Sequence, residues 1–130
     1  MIVGIGVDIV DVLRVQGLLS RYKERFMQRV FTEAESRYAR DSVRTAERLA
    51  GRFAVKEAVL KAFGTGKSNG ILWRDVETVR GPRGEPKVNL YGMAHKYLTN
   101  IEGESIHVSI SHDGGKAVAF VIIEGRGGKR

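Results

Sequence analysis

Cysteine is absent from this 130-residue chain, and only three histidines and two prolines occur. Without cysteine the chain has no disulfide framework, no thiolate nucleophile and no cysteine-based zinc site. Three scattered histidines also argue against a structural zinc site. No apolar run approaches the roughly 20 residues of a membrane-spanning helix. The first residues lack a basic segment and reach a carboxylate at Asp8, which argues against a signal peptide. These absences predict a cytoplasmic protein with no membrane partner.

The residues that are present describe a globular domain with a basic surface. Hydrophobic residues make up 42% and charged residues 28%, the balance of one ordinary folded domain at this length. Lysine and arginine number 22 against 15 acidic residues, which gives a formal charge of +7. That excess favours an acidic partner: a nucleic acid, a phosphorylated ligand, an anionic membrane or an acidic protein.

The first segment, residues 2–10, alternates with the period of a β-strand. One face is apolar, and the other carries Gly4 and Gly6 followed by Asp8. Because glycine weakens a strand, two glycines on one face indicate that something approaches the backbone closely there. A bulged strand with an exposed aspartate near its end is the alternative.

A helix is predicted from Asp11, because apolar residues recur at helical spacing as far as Val30 and aspartate is a favourable N-cap. Four arginines fall within an arc of about 80° beside this apolar stripe. They are Arg14, Arg21, Arg25 and Arg29. A solvated face is the ordinary interpretation of such a row. The absence of acids within it favours a docking site for an acidic partner.

The rest of the chain predicts a mixed α/β (α+β) domain. A Thr32-to-Glu35 capping box begins a short helix through Tyr38. The longest helix is predicted from Asp41 to Phe63, ended by the glycines that follow. Later elements are strands near 76–78 and 87–90 joined by a turn, a helix over 92–100, and strands over 106–110 and 117–123. The basic, glycine-rich tail 125–130 is predicted to be frayed and disordered.

The long helix holds the most informative charges. Between residues 49 and 63 it is mostly apolar, and Glu57 and Lys61 lie one turn apart. An exposed i,i+4 ion pair, worth about 0.2–0.5 kcal/mol, is one interpretation. The other is a functional site, because charges in an apolar helix need a partner. Asp8 and Glu57 together could supply two hard oxygen ligands to Mg²⁺, with basic side chains holding phosphates. This set fits phosphoryl or pyrophosphate chemistry.

Two other motifs carry weaker indications. Ser109, Ser111 and His112 lie on or beside one predicted strand, but no Gly-x-Ser-x-Gly elbow surrounds either serine, so a serine hydrolase is disfavoured. The Gly-Pro-Arg-Gly run at 81–84 has the GxxG spacing of an RNA-binding KH loop. Because it lies between two predicted strands, a hairpin turn is the preferred interpretation.

Five segments together resemble the holo-acyl-carrier-protein synthase family, the small bacterial type of 4′-phosphopantetheinyl transferase. They are GIGVDIV (4–10), FTEAE (31–35), RLAGRFAVKEA (48–58), KAFGTG (61–66) and VSISHD (108–113). They occur in the order of the family, and the resemblance extends from residue 2 to about residue 124. The glycine–aspartate and Lys-Glu-Ala motifs mark the superfamily, whereas the Phe-Thr-Glu element and the short length mark this branch.

The resemblance implies a single transferase domain over 1–124, with an antiparallel sheet packed against a long helix and shorter helices. It implies transfer of phosphopantetheine from coenzyme A to a serine of acyl carrier protein, with adenosine 3′,5′-bisphosphate released. Asp8 and Glu57 would bind Mg²⁺, and Lys61 would neutralise or protonate the leaving phosphate. Whether Glu57 also activates the serine, directly or through water, stays open. The basic tail at 125–130 has no role in this pattern.

The resemblance also assigns binding residues and an assembly. Coenzyme A would contact Arg52, Lys61, Gly64, Gly66, Ser111 and His112. Family members are typically homotrimers with sites between protomers, so Ser111 and His112 would come from a neighbouring copy. The acidic carrier protein would dock on Arg14, Arg21 and Arg25.

Two functions of other classes are weighed against this one. A nucleic-acid-binding module explains the charge but leaves Asp8 and Glu57 unused, and its binding would fall steeply with salt. A Mg²⁺-dependent nuclease would use both carboxylates and Lys61 without any carrier protein. The preferred hypothesis involves no nucleic acid.

Overall fold

The computed structural model describes residues 1–65 and 70–126. Its elements in chain order are β1 (Ile2–Asp11), α1 (Val12–Tyr22), α2 (Glu24–Val30), α3 (Glu33–Arg40), α4 (Thr45–Phe63), β2 (Val76–Arg80), β3 (Pro86–Leu90), α5 (Gly92–Asn100), β4 (Gly103–Asp113) and β5 (Lys116–Gly125). A short 3-10 turn over Trp73–Asp75 precedes β2. None of the helices in the described part of the chain is long and apolar enough to cross a membrane.

The strands form two antiparallel units. The main sheet has the order β1-β5-β4, so that β1 and β4 are its edges, and β2 and β3 form a separate hairpin. Helix α4 packs across one face of the main sheet, where β1 and β5 present their buried side. The predicted mixed α/β fold, with an antiparallel sheet and one long helix, is confirmed.

The glycine face of β1 is where α4 approaches. A Cβ atom on Gly6 would lie 1.8 Å from the carbonyl oxygen of Ala58, and one on Gly4 would lie 2.5 Å from that of Ala62. Neither position has room for a side chain. The close approach predicted from the two glycines is therefore the backbone of α4, and it places Asp8, on the same face, beside this helix.

The apolar face of β1 points away from the protein interior. Ile5, Val7 and Ile9 are exposed, and so is Phe120 on the neighbouring strand β5. Four buried side chains on the opposite face of β5 contribute to the core instead: Ala117, Ala119, Val121 and Ile123. The sheet thus has one covered face and one open apolar face.

Several helix boundaries differ from the prediction. The first predicted helix is two helices, because the backbone of Lys23 takes φ 50° and ψ −126° and ends α1 after Tyr22. Helix α3 runs on to Arg40, and α4 begins at Thr45 rather than at Asp41. The capping box of Thr32 and Glu35 and the left-handed C-cap at Gly64 (φ 81°) are confirmed.

The prediction that the tail is disordered is wrong for its first two residues, 125 and 126. Gly125 is the last residue of β5, and the amide of Arg126 donates to the carbonyl of Glu102 at 3.0 Å. The rest of the predicted basic tail, residues 127–130, lies outside the described residues. The boundary at residue 124 stays a prediction.

Candidate active site

Asp8 and Lys61 meet where the end of α4 crosses β1. The Lys61 ammonium donates to Asp8 Oδ1 and to the Val7 carbonyl, each at 3.0 Å. The Asp8 side chain is largely buried, whereas that of Lys61 is more than half exposed. Lys61 on α4 is therefore paired with Asp8 on β1. Because much of the Lys61 side chain is exposed, its ammonium is also accessible to a ligand.

Glu57 completes this group from the preceding turn of α4. Partial burial, together with the negative charge and hydrogen bonding of Asp8, raises the pKa of Glu57, while Arg14 and Lys61 oppose the shift. Two carboxylates placed so close disfavour simultaneous ionisation unless a cation joins them. Lys61 and Arg14 offset this repulsion only in part, because the pKa of Glu57 is still raised, so the negative charge of the Asp8–Glu57 pair is incompletely neutralised.

The second oxygen of Asp8 indicates what would satisfy the pair. Asp8 Oδ2 is buried and receives no hydrogen bond from any residue in the described ranges. Two carboxylates with an orphaned buried oxygen fit a hard cation such as Mg²⁺, which takes one or two protein carboxylates and fills its remaining positions with water and phosphate oxygens. Within residues 1–65 and 70–126 no cluster of three or more metal-ligating side chains occurs. The donor set suits a metal that is shared with a phosphorylated ligand.

A second group of functional candidates surrounds Tyr38. The guanidinium of Arg52 lies 3.8 Å from the centroid of its ring, that of Arg48 at 4.2 Å and that of Arg80 at 5.0 Å. Arg52 and Arg80 line a cavity of about 190 Å³ with Tyr38, Gly84, Pro86, Ile110 and His112. His112 Nε2 lies 2.9 Å from the carbonyl oxygen of Glu47 in the first turn of α4.

The guanidinium groups of Arg52 and Arg80 make the cavity beside Tyr38 a suitable binding site for an anion. Burial lowers the pKa of Arg52, and its Nε is buried without a hydrogen-bond partner among the residues described. A phosphate would supply the acceptor that this nitrogen lacks. Arg52 and His112 were predicted as ligand contacts from the sequence, whereas Tyr38 and Arg80 were not. Tyr38 lies on α3 and Arg80 on β2, far from Arg52 in the sequence, so no local pattern connects them with it. The one nearby indication of a cationic site was Arg48, one turn before Arg52 on the same helix.

The two groups lie on different sides of α4. Arg52 and Glu57 are five residues apart, so they point about 140° away from each other around the helix axis. Ser111, on β4, pairs with Val118 and lies on the exposed face of the sheet, two strands from β1. The structure therefore unites Asp8, Glu57 and Lys61, and separately unites Arg52 with His112. Gly64 caps α4 just beyond Lys61, and Gly66 lies outside the described residues.

The arginine row is divided by the break at Lys23. Arg14 and Arg21 lie on α1, whereas Arg25 lies on α2, and all three are exposed. The single continuous row predicted from one helical wheel is wrong, because the backbone changes direction between the two helices. Arg14 acts on the pKa of Glu57 and so lies close to the carboxylate pair. Its position links the basic helix directly to the candidate active site.

Comparison with known proteins agrees with this geometry. The family model of the 4′-phosphopantetheinyl transferase superfamily matches residues 4–121. A holo-acyl-carrier-protein synthase from Koribacter versatilis is 43% identical over 124 residues, covering 95% of this chain and 99% of the relative. One from Brucella ovis is 45% identical over 128 residues, covering 95% and 96%.

Solved structures of the same kind superpose over nearly the whole chain. The crystal structure of holo-acyl-carrier-protein synthase from Neisseria meningitidis matches with a TM-score of 0.87 at 31% identity, covering 95% of this chain and 99% of that one. The Helicobacter pylori enzyme, in complex with coenzyme A, matches with a TM-score of 0.81 at 31% identity, covering 92% and 99%.

The fold and the matched residues place this chain in the 4′-phosphopantetheinyl transferase superfamily, and within it the chain belongs to the holo-acyl-carrier-protein synthase family. The family and the enzyme class predicted from the five sequence segments are confirmed.

Proposed function

We propose that this chain transfers the 4′-phosphopantetheine group of coenzyme A to a serine hydroxyl of apo acyl carrier protein, supporting fatty acid biosynthesis in the cytoplasm. The observation that carries the proposal is the group of Asp8, Glu57 and Lys61, an unsatisfied carboxylate pair beside an exposed lysine. The names of its relatives, one of them solved with coenzyme A, support the same reaction.

The reaction exchanges one phosphorus–oxygen bond for another. The serine oxygen bonds to the phosphorus that carries pantetheine, and the bond from that phosphorus to the bridging oxygen breaks. Adenosine 3′,5′-bisphosphate leaves with the electron pair of that bond. Lys61, whose ammonium is exposed next to Asp8, neutralises or protonates the leaving phosphate. Glu57, which lies beside Asp8, is the proposed acceptor of the serine proton, directly or through water.

Asp8 and Glu57 would also hold Mg²⁺. The chemistry it supplies when bound is neutralisation of the pyrophosphate oxygens. Residues of this chain then orient the substrate. The main chain of Asp8 is fixed opposite Ala119 by the pairing of β1 with β5, and its carboxylate accepts a hydrogen bond from Lys61.

The cavity around Tyr38 suits the nucleotide end of coenzyme A. Arg52 and His112 offer donors to a phosphate, and Gly64, Gly66 and Ser111 are the remaining proposed contacts. Because the Arg52 group and the Glu57 group face different sides of α4, one coenzyme would be held between two copies of the chain. We therefore propose a homotrimer with active sites between protomers. The exposed apolar sheet face of Ile5, Val7, Ile9 and Phe120 provides a surface for this assembly.

Arg14, Arg21 and Arg25 form the proposed docking surface for the carrier protein. They are exposed, and Arg14 adjoins the carboxylate pair, so an acidic protein bound along α1 and α2 would bring its serine to Glu57. The net charge of +7 supports attraction of such a partner over longer distances.

A mass measurement tests the function. The protein is incubated with coenzyme A, Mg²⁺ and apo acyl carrier protein, and the carrier is examined for the mass of one phosphopantetheine. The Asp8→Ala and Glu57→Ala variants should lose nearly all transfer while keeping the fold. Asp11→Ala is the matched control, because Asp11 is an exposed carboxylate on the same strand, paired with Lys116. Normal Mg²⁺-dependent turnover in Asp8→Ala or Glu57→Ala would contradict the assignment.

A further inference from the structure

Lys56, the residue before Glu57, is fully buried and does not reach the candidate active site. Its ammonium donates to Glu35 Oε1 at 2.7 Å, to the Trp73 carbonyl at 3.0 Å and to the Val76 carbonyl. All three ammonium protons are therefore used inside the protein. Because its side chain has 0% exposure, Lys56 has no surface with which to contact a substrate.

Glu35 joins Lys56 to two other elements. Its Oε1 accepts from the amide of Thr32, which closes the capping box of α3, and its Oε2 accepts from the amide of Thr78 on β2 at 2.8 Å. The Glu35 side chain is also 0% exposed. One buried ion pair thus fixes α3, α4 and β2 relative to one another.

Glu77 extends the connection to β3. Its carboxylate accepts from the Thr32 hydroxyl at 2.6 Å and from the Tyr91 hydroxyl at 2.9 Å. Asn89, its partner in the hairpin register, donates to it at 3.4 Å. Through Glu77, β3 and the residue that follows it are connected to Thr32, the N-cap of α3.

The elements fixed in this way form the walls of the Tyr38 cavity. Helix α3 carries Tyr38, β2 ends at Arg80, and Pro86 begins β3. Arg52 enters the same cavity from α4, one turn before Lys56 and on the same side of the helix. The spacing between Arg52 and Arg80 is set by how closely the hairpin and α3 are held to α4.

We infer that Lys56 is a positioning residue for the nucleotide end of coenzyme A: through its buried ion pair with Glu35 it sets the spacing of Tyr38, Arg52 and Arg80. This inference rests on the function proposed above. The Asp8–Glu57–Lys61 group lies on another side of α4, and the contacts described for that group do not involve Lys56 or Glu35. Lys56 therefore acts on the binding of coenzyme A rather than on the chemical step.

The test separates binding from chemistry and from stability. Removing one charge of a buried pair leaves the other unpaired and destabilises the fold, whereas removing both does so far less. The variants are therefore Lys56→Met and the double variant Lys56→Met with Glu35→Gln. Ile123→Ala is the control, because it removes a fully buried side chain from β5 and lowers stability at a residue that does not line the cavity.

Steady-state kinetics, adenosine 3′,5′-bisphosphate binding by calorimetry and thermal unfolding are measured for each protein. The double variant should show a KM for coenzyme A and a Kd for the bisphosphate raised about tenfold, which corresponds to about 1.4 kcal/mol of binding free energy. Its kcat should stay within about threefold of wild type, since the reacting group is unchanged. Ile123→Ala should lower the unfolding temperature and leave both constants unchanged.

Four results would decide against the inference or its basis. A double variant that folds and has the wild-type KM and bisphosphate Kd would overturn the positioning role, as would a fall in kcat at constant KM. If Ile123→Ala raised the two constants equally, loss of stability alone would explain the effect. A wild-type protein that binds bisphosphate but transfers nothing would instead overturn the proposed function.

Discussion

Lys61 Nζ lies 3.0 Å from Asp8 Oδ1, on one of the two carboxylates that are proposed to hold Mg²⁺. The ammonium neutralises part of the charge of the Asp8–Glu57 pair, and it opposes the rise in the pKa of Glu57. The same side chain is proposed to serve the leaving phosphate. The single positive charge of Lys61 is thus proposed to serve both the carboxylate pair and the substrate.

Lys61→Met tests this double relationship. Without the ammonium, Mg²⁺ should bind the protein more tightly in the absence of coenzyme A, because no protein cation competes for Asp8. Transfer should nevertheless fall by about 100-fold or more, the usual loss when a proton-transferring or charge-stabilising group is removed. Calorimetric titration with MgCl₂ and the carrier mass assay measure the two effects. Lys116→Met, which removes an exposed ion pair with Asp11, should change neither. Weaker Mg²⁺ binding in Lys61→Met would contradict the prediction.

Glu57→Gln should stabilise the metal-free protein at neutral pH. Burial and the charge of Asp8 raise the pKa of Glu57 above its ordinary 4.5, so the native state binds this proton more tightly than the unfolded state. The wild type therefore loses stability as pH rises through the raised pKa, a loss that glutamine avoids. The advantage of Glu57→Gln should be full above that pKa and absent below pH 4.5. Urea unfolding across this range measures it.

The control for this effect is Glu47→Gln, which neutralises a carboxylate on the same helix that lies 3.9 Å from the exposed Arg44. It should show no such pH-dependent gain. An equal stability of wild type and Glu57→Gln at every pH would mean that neither burial nor Asp8 raises the pKa of Glu57.

Arg21→Glu should raise the KM for carrier protein and leave the KM for coenzyme A unchanged. Exposed charges act mainly on the rate at which the two proteins associate. They are screened over a Debye length of about 8 Å at physiological ionic strength. The difference in carrier KM between the wild type and Arg21→Glu should therefore become smaller as salt is added. Lys96→Glu makes the same charge change on α5 and is the control. An unchanged carrier KM would make Arg21 an ordinary solvated residue. Arg14→Glu should lower kcat as well, because Arg14 also acts on Glu57.

Phe120→Asp should dissociate the proposed trimer and abolish transfer at micromolar protein. Phe120 is 44% exposed and pairs with Val7 in the open face of the sheet, so a charge there disfavours burial against another copy. Sedimentation velocity and the carrier mass assay measure assembly and activity. Val43→Asp, at a fully exposed loop position, should change neither. A monomeric wild type with full activity would refute the shared active site.

Lys23→Gly should increase the free energy of unfolding by about 1 kcal/mol, the lower end of what a strained backbone residue costs. Lys23 has φ 50° and ψ −126°, a conformation that glycine adopts readily and residues with a Cβ do not. Chemical denaturation measures the gain. Lys23→Ala keeps the Cβ and should give no such gain, so an equal effect of the two substitutions would exclude relief of strain as the cause.

Local patterns in the sequence determined several secondary-structure elements of this protein and identified the main candidate site residues. The alternation of β1, the Thr32 capping box and the glycine that ends α4 each depend on neighbours a few residues apart, and each is present as predicted. The two glycines before Asp8 correctly indicated a close backbone approach. Asp8, Glu57 and Lys61 were found because their motifs place carboxylates and a lysine in otherwise apolar or glycine-rich surroundings.

Only the tertiary structure decided which residues meet. The sequence could not reveal that the apolar face of β1 is exposed, because alternation defines two faces without saying which one α4 covers. Nor could it reveal that Lys56 is buried against Glu35, 21 residues away, while its neighbour Glu57 faces Asp8. Adjacent residues on a helix point about 100° apart, so the packing of α3, β1 and the hairpin around α4 assigns one charge to the interior and the next to the site.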